Sequence, residues 1–412
     1  MPKLLGLRCR ECGTEYELQA THVCEMCFGP LDAVYDYASL KKRVTRQAIE
    51  QGPPSIWRYR DLLPIEDTTP VVTLGEGFTP LVKADRLGAE LGLRNLYLKN
   101  DSMNPTNSFK DRVVSVAISW ARAQGFETIA CASTGNLANA VAAYAARAGL
   151  DCYVFIPIDL EPAKVASIGA FEPNLVAVRG NYDEVNRLCS QLVESTPWAF
   201  CNINIRPFYA EGSKTLTFET AEQLGWKLPD EIIIPIGSGC QFVRHRQAIR
   251  ELMDFGLVHG DRVPALTGAQ ALGCAPVYNA FKSDQPERVL PVKPDTIARS
   301  IAIGNPSDGI YVNRIVLETG GVVDAVTEEE IVEAIRLLAR TEGIFTETAG
   351  GVTIGVLSKL ARAGRWSGDE VIVAYVTGHG LKTAEVLASS NGHGRRVEID
   401  PSLKSFREKV NL

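Results

Sequence analysis

An α/β fold built on mainly parallel sheet is the class this 412-residue sequence predicts, and three observations predict it. Short apolar runs at 96–98, 128–132, 152–156, 175–178, 231–235 and 371–376 alternate with amphipathic stretches of helical period. Strands separated by helix-length segments pair through right-handed crossovers, which gives parallel strands covered on both faces. Several runs also end in glycine or small polar residues that open the next helix, where open α/β sheets bind ligands. There are more such units than one sheet needs, so two doubly wound α/β domains are expected.

At the N-terminus, Cys9, Cys12, Cys24 and Cys27 form two Cys-x-x-Cys knuckles with eleven residues between them. Two tight turns at that spacing present four thiolates tetrahedrally, so a zinc ribbon is expected over 1–37. Paired disulfides are the competing reading, which suits a secreted chain better. Four sulfurs leave no open coordination position, so the metal would be structural and His22 a bystander. The other six cysteines sit mostly among apolar neighbours and read as small buried hydrophobes of a reducing compartment.

A polar helical stretch around 40–50 and the breaker Gly52-Pro53-Pro54 read as a linker over 38–54. The expected division of the remainder is a large α/β domain over 55–112 and 214–395, a small one over 113–213, and a tail over 396–412. Hydrophobic residues make up 45% and charged residues 22%, a globular balance that excludes a disordered or fibrous design. A net charge of −6 with no concentrated basic face argues against nucleic-acid binding. No apolar run is long enough to span a bilayer and the start lacks a signal's apolar core, so a soluble cytoplasmic protein is expected.

The chemistry concentrates in four segments. Asn104-Pro-Thr-Asn-Ser-Phe-Lys-Asp-Arg112 joins a strand-like run to a helix start and puts Lys110 at that helix N-terminus. There the positive end of the helix dipole disfavours the ammonium form, leaving a nucleophilic amine able to form a Schiff base with pyridoxal phosphate. A solvated surface lysine is the plain alternative. Ser133-Thr134-Gly135-Asn136 ends the 128–132 run and offers backbone N–H groups and an amide to an anionic oxygen. Gly237-Ser238-Gly239-Cys240-Gln241 follows the 231–235 run and lets the backbone approach a phosphate closely. Thr377-Gly-His379-Gly380 follows the last run and brings a hydroxyl to the same end of the sheet. Each turn alone serves structural needs as readily. Four in this context point to one site.

Leu74-Gly-Glu-Gly-Phe-Thr-Pro-Leu81, Asn104–Arg112, Ala132–Asn136, Glu211-Gly-Ser-Lys-Thr215, Ile303-Gly-Asn-Pro306 and Val376–Lys382 occur in one characteristic order. Over roughly residues 55 to 390 the chain resembles the threonine synthases, pyridoxal-phosphate enzymes of fold type II, the tryptophan synthase β-like fold. The four-cysteine ribbon is similar to an N-terminal extension of some members. The resemblance implies that Lys110 carries the cofactor and shuttles protons, Asn136 bonds its phenolic oxygen, Gly237 to Gln241 hold its phosphate and Thr377 meets its ring nitrogen. It implies further that Ser133, Thr134 and Gly135 engage the substrate carboxylate, and that Lys99, Asn202, Arg206 and Lys214 are candidates for the substrate phosphate. The implied reaction turns O-phospho-L-homoserine and water into L-threonine and phosphate, and the family suggests a homodimer.

Three positions depart from the family pattern: Asn107 for a usual glycine, Gly237–Gln241 without the usual asparagines, and Ala302 where an arginine is expected. Rival functions are therefore a β-replacing synthase acting on O-phosphoserine, similar to cysteate synthase, and a threonine or serine dehydratase. A zinc-ribbon interaction protein with a degenerate enzyme body is the non-enzymatic alternative. Glu347 either faces the cofactor or caps the following helix. His379, between two glycines, reads as structural rather than as an acid or base.

Overall fold

The alternation of strand and helix resolves into three sheets in the computed structural model, which describes residues 3–133, 135–160, 162–260, 262–388 and 397–410. The strands, in chain order, are β1 (Leu4–Cys9), β2 (Glu15–Tyr16), β3 (Leu31–Tyr35), β4 (Leu81–Lys83), β5 (Asn95–Asn100), β6 (Thr128–Ala132) and β7 (Asp151–Pro157). They continue with β8 (Asn174–Val178), β9 (Ala199–Phe200), β10 (Glu231–Pro235), β11 (Ala265–Ala271), β12 (Val323–Val326) and β13 (Val371–Val376). The first three form an antiparallel ribbon of order β2-β1-β3. A large sheet runs β12-β11-β10-β13-β5-β4, parallel except for the edge strand β4. A small parallel sheet runs β8-β7-β6-β9.

All six apolar runs are strands. Those at 128–132, 231–235 and 371–376 coincide with β6, β10 and β13 end to end. Strands β11 and β12 had no such signal, because ALTGAQA and VDAV mix small and polar residues and owe their state to pairing with β10 and with each other. The helix expected around 40–50 is instead two short ones, Tyr37–Leu40 and Arg46–Glu50. Thr45 restarts the helix, its hydroxyl accepting from the Ala48 N–H. Leu40, Val44 and Ile49 in this stretch are buried in the same core as the ribbon's Leu4, Leu7 and Leu31.

The helix Lys110–Ala123 is packed on nearly every side, with Asp111 through Ala121 all buried. Such a helix cannot hold free charges, and Arg112 on it is fully enclosed. Its guanidinium donates to both Asp101 oxygens at 2.7 Å and to Glu219 at 2.5 and 2.7 Å. Lys99 completes the group, donating to Glu219 at 2.7 Å, the Thr79 carbonyl at 2.6 Å and Gln223 at 2.9 Å. This ionic core anchors the loop before Lys110 to the helix Lys214–Gln223.

Candidate active site

The parallel strands point their carboxyl ends at one cleft, and the turns that follow supply its walls. Ser108, Phe109, Lys110, Asn136, Tyr209, Gly237 to Gln241, Glu347 and Thr377 line a single pocket there. Lys110 is the first residue of its helix. The preceding Phe109 N–H donates to the Thr377 carbonyl at 2.9 Å, which ties the lysine loop to the end of β13. Asn107 sits at φ 60°, the left-handed region where asparagine is the most tolerated side chain after glycine; this explains how it replaces the usual glycine.

Lys110 Nζ lies 3.2 Å from the Tyr209 hydroxyl. Its pKa is lowered, chiefly by burial, against the opposing pull of Cys240 and Glu347. Burial thus acts in the same direction as the helix dipole expected from the sequence, and both favour the free amine. Across the pocket, Glu347 accepts from the Asn136 amide at 2.9 and 3.0 Å, while Asn136 Oδ1 accepts from Lys382 at 2.9 Å. Burial pushes the Glu347 carboxyl above the usual range. Glu347 therefore faces the pocket; although it stands at the start of the helix Thr348–Arg362, its side chain makes no capping bond.

The glycine-rich turn after β10 opens the helix Cys240–Asp254. Gly239 has φ 86°, and a Cβ there would meet Val312 and Asp308 at 2.9–3.0 Å, so only glycine fits. Gln241 Nε2 is buried in this turn without a hydrogen-bond partner among the described residues. Bare backbone at a helix N-terminus with an unanswered amide donor is a cradle for a phosphate. The residues present thus fit pyridoxal phosphate: an amine on one wall, a phosphate cradle on the other, and the Thr377 hydroxyl, the Asn136 amide and Glu347 between them.

A second chamber adjoins Lys110, lined by Asn202, Arg206, Tyr209, Asn305 and Ser307 together with His22 and Val23 of the ribbon. Arg206 begins the helix Arg206–Glu211. His22, expected to be idle beside the metal ligands, forms part of this wall.

Two expected phosphate ligands do not reach the cleft. Lys99 is spent on the ionic core described above. Lys214 is fully buried, its ammonium 2.7 Å from Glu211 and 3.0 Å from Glu251 and 4.6 Å from the Tyr35 ring centroid. In each case an interior carboxylate claimed the charge, since an unpaired buried ammonium is far too costly. Ser133 is a turn residue whose hydroxyl accepts from the Gly135 and Ala138 N–H groups. Gly135 precedes the helix Asn136–Ala148 with φ 154° and lies against Lys164. Thr134 lies outside the described residues. His379 is structural in its contacts: Nδ1 accepts from the Leu381 N–H at 3.1 Å and the ring stands edge-on to Phe345.

Sequence reasoning missed Tyr209 and Lys382, although both lie within or beside motifs it singled out. Tyr209 is three residues after Arg206 on one short helix, a spacing that puts both on one face. Lys382 closes the Val376–Lys382 motif, but nothing local points it to Asn136, since their 2.9 Å bond spans 246 residues.

At the ribbon, the Cys9, Cys12, Cys24 and Cys27 sulfurs all lie within 4.8 Å of one another. Neighbouring pairs are 3.4–3.5 Å apart and none of these cysteines is in a disulfide. Those separations are far beyond a disulfide bond and close to the edge of a zinc–thiolate tetrahedron.

Residues 72–378 match the model of the family described as pyridoxal-phosphate dependent enzyme. The chain is 38% identical to a threonine synthase of Methanocaldococcus jannaschii, covering 95% of this chain and 96% of that one. It is also 38% identical to a threonine synthase of Methanosarcina acetivorans, over 98% of both. Among solved structures, a fungal L-serine ammonia-lyase from Rhizomucor miehei superposes with a TM-score of 0.64 at 21% identity, covering 76% of this chain and 98% of that one, which shows a shared fold. No helix among the described residues is long and apolar enough to cross a membrane. With its pocket-facing lysine, its phosphate cradle and this full-length similarity, the chain belongs to the fold type II pyridoxal-phosphate enzymes and, within them, to the threonine synthases.

Proposed function

We propose that this protein converts O-phospho-L-homoserine and water to L-threonine and phosphate. One observation carries the reading: the amine of Lys110 lies between the cradle of Gly237–Gln241 and a second, cation-bearing chamber that holds Arg206 and Asn202. Bound in the first pocket, pyridoxal phosphate supplies an electron sink for a carbanion beside the substrate's amino group. Lys110 Nζ, kept unprotonated by burial, takes and returns the protons on the substrate's carbons. Asn136 holds the phenolic side of the ring, with its amide oriented by Glu347 and Lys382. Thr377 offers the ring nitrogen a neutral hydroxyl, and Ser133, Thr134 and Gly135 receive the carboxylate. Arg206 and Asn202 take the phosphate as it leaves, a fork of donors suited to a dianion.

Residues 113–213 form the smaller domain in this reading, and its closure excludes water until the addition step. We further place the chain as a cytoplasmic homodimer that handles a small phosphorylated amino acid and neither nucleic acid nor membrane. The solved neighbours with ammonia-lyase activity share only the fold, so they do not favour a dehydratase.

O-phospho-L-homoserine, O-phospho-L-serine and L-threonine offered separately to the purified enzyme decide the substrate. Phosphate and threonine are expected in equal amounts from the first, with no keto acid from the third. Phosphate from O-phosphoserine alone would reject this reading in favour of a β-replacing synthase.

The four cysteines hold a structural zinc in the same reading. Metal analysis is expected to return one zinc per chain, and Cys12→Ser to lose it together with ribbon stability. A metal-free native preparation of unchanged thermal stability would refute the zinc assignment.

A further inference from the structure

The ribbon touches the reaction chamber through a charged side chain that the chemistry above does not use. Arg10 stands inside the first knuckle, between Cys9 and Cys12. Its guanidinium donates to Asp32 at 2.6 and 2.9 Å and to one oxygen of Asp308 at 2.8 Å, and it lies over the Tyr311 ring at 4.7 Å. The other Asp308 oxygen accepts from Arg206, which also donates to Ser307 at 3.3 Å. Asp308 is fully buried, and its N–H donates to the Ser238 carbonyl of the phosphate cradle at 2.9 Å.

We propose that Arg10 is a positioning residue for the substrate-phosphate site: through Asp308 it holds Arg206 in the chamber wall and keeps Asp308 from engaging Arg206 with both oxygens. The proposal rests on the reading of Arg206 as a phosphate ligand. A buried carboxylate facing one arginine would cancel its charge and hold its donors. Shared between two, Asp308 gives Arg206 one oxygen only, and the other Arg206 donors stay available for the dianion. The fork of Arg10 onto two carboxylates also fixes where Asp308 sits, and so the angle at which Arg206 enters. The ribbon is then part of the substrate site, consistent with His22 and Val23 lining the same chamber.

The test uses cofactor-loaded, zinc-replete enzyme with inorganic phosphate as the probe, alongside KM and kcat for O-phospho-L-homoserine. Arg10→Ala is expected to weaken phosphate binding and raise KM by about tenfold or more, with a smaller change in kcat and with the cofactor absorbance and zinc content retained. Arg10→Gln, which removes the charge but keeps one hydrogen bond, should do the same and serves where the alanine variant fails to fold. Arg10→Lys should recover part of the loss. In an Arg206→Ala background, Arg10→Gln should have little further effect, because the two residues act on phosphate as one unit. Phosphate affinity and KM within twofold of wild type in Arg10→Gln would overturn the proposal while leaving the proposed reaction intact. Failure of the wild-type enzyme to bind phosphate or turn over O-phospho-L-homoserine would overturn both.

Discussion

Replacing Lys110 by alanine is expected to lower turnover by roughly 10³-fold or more, because in the proposed reaction one amine both attaches the cofactor and moves the protons. The same variant should lose the absorbance at about 410–420 nm that marks a protonated imine between this lysine and pyridoxal phosphate. The structure gives the expectation a physical basis. Lys110 Nζ has a hydroxyl, not a carboxylate, as its hydrogen-bond partner, and burial lowers its pKa toward the free base. Two fully buried lysines are instead tied up in ion pairs: Lys99 with Glu219, Lys214 with Glu211 and Glu251. Borohydride reduction and peptide mapping check the attachment directly, and label on any peptide but the one containing Lys110 would sink it. Folding should survive the substitution, since the side chain lines a cleft.

The second large effect concerns stability. Arg112→Leu is expected to cost about 3–5 kcal/mol, because it strands Asp101 as a buried charge and leaves Glu219 with Lys99 as its remaining counter-ion. The Arg112 guanidinium holds the Glu219 carboxyl down to about 2, with Lys99 adding to the same effect against the cost of burial. A carboxyl depressed in the folded state stabilises the protein above its unfolded pKa and withdraws that contribution as pH falls through about 4 toward 2. The deficit of Arg112→Leu should therefore be full at neutral pH and shrink in acid. Arg314→Ala is the control, since its pairs with Glu287 and Glu11 are exposed and worth about 0–1 kcal/mol. Urea titration of both variants measures the contrast, and an Arg112→Leu loss no larger than that of Arg314→Ala would contradict the assignment.

The site was legible in sequence wherever its function depends on local geometry. Lys110 at a helix start, Gly239 at a positive φ and Thr377 at a strand end are all produced by the strand-turn-helix joints that contain them. The knuckles were legible for the same reason, since each turn presents two sulfurs on its own. Charged residues were the failures. Lys99 and Lys214 carry the donors a phosphate needs, and no local feature says whether a carboxylate already holds them.

From the chain alone came the alternation that makes parallel sheet, the joints that gather at its carboxyl edge, and the four thiols, because each follows from residues close together in sequence. Tertiary structure alone decided which charges remain available for a ligand. Glu219 meets Lys99 across 120 residues, and Asp308 meets Arg10 across 298. A buried charge takes whichever partner folding brings within reach, so the partners of Lys99, Lys214 and Arg10 are set by packing between segments that include ones distant in the chain.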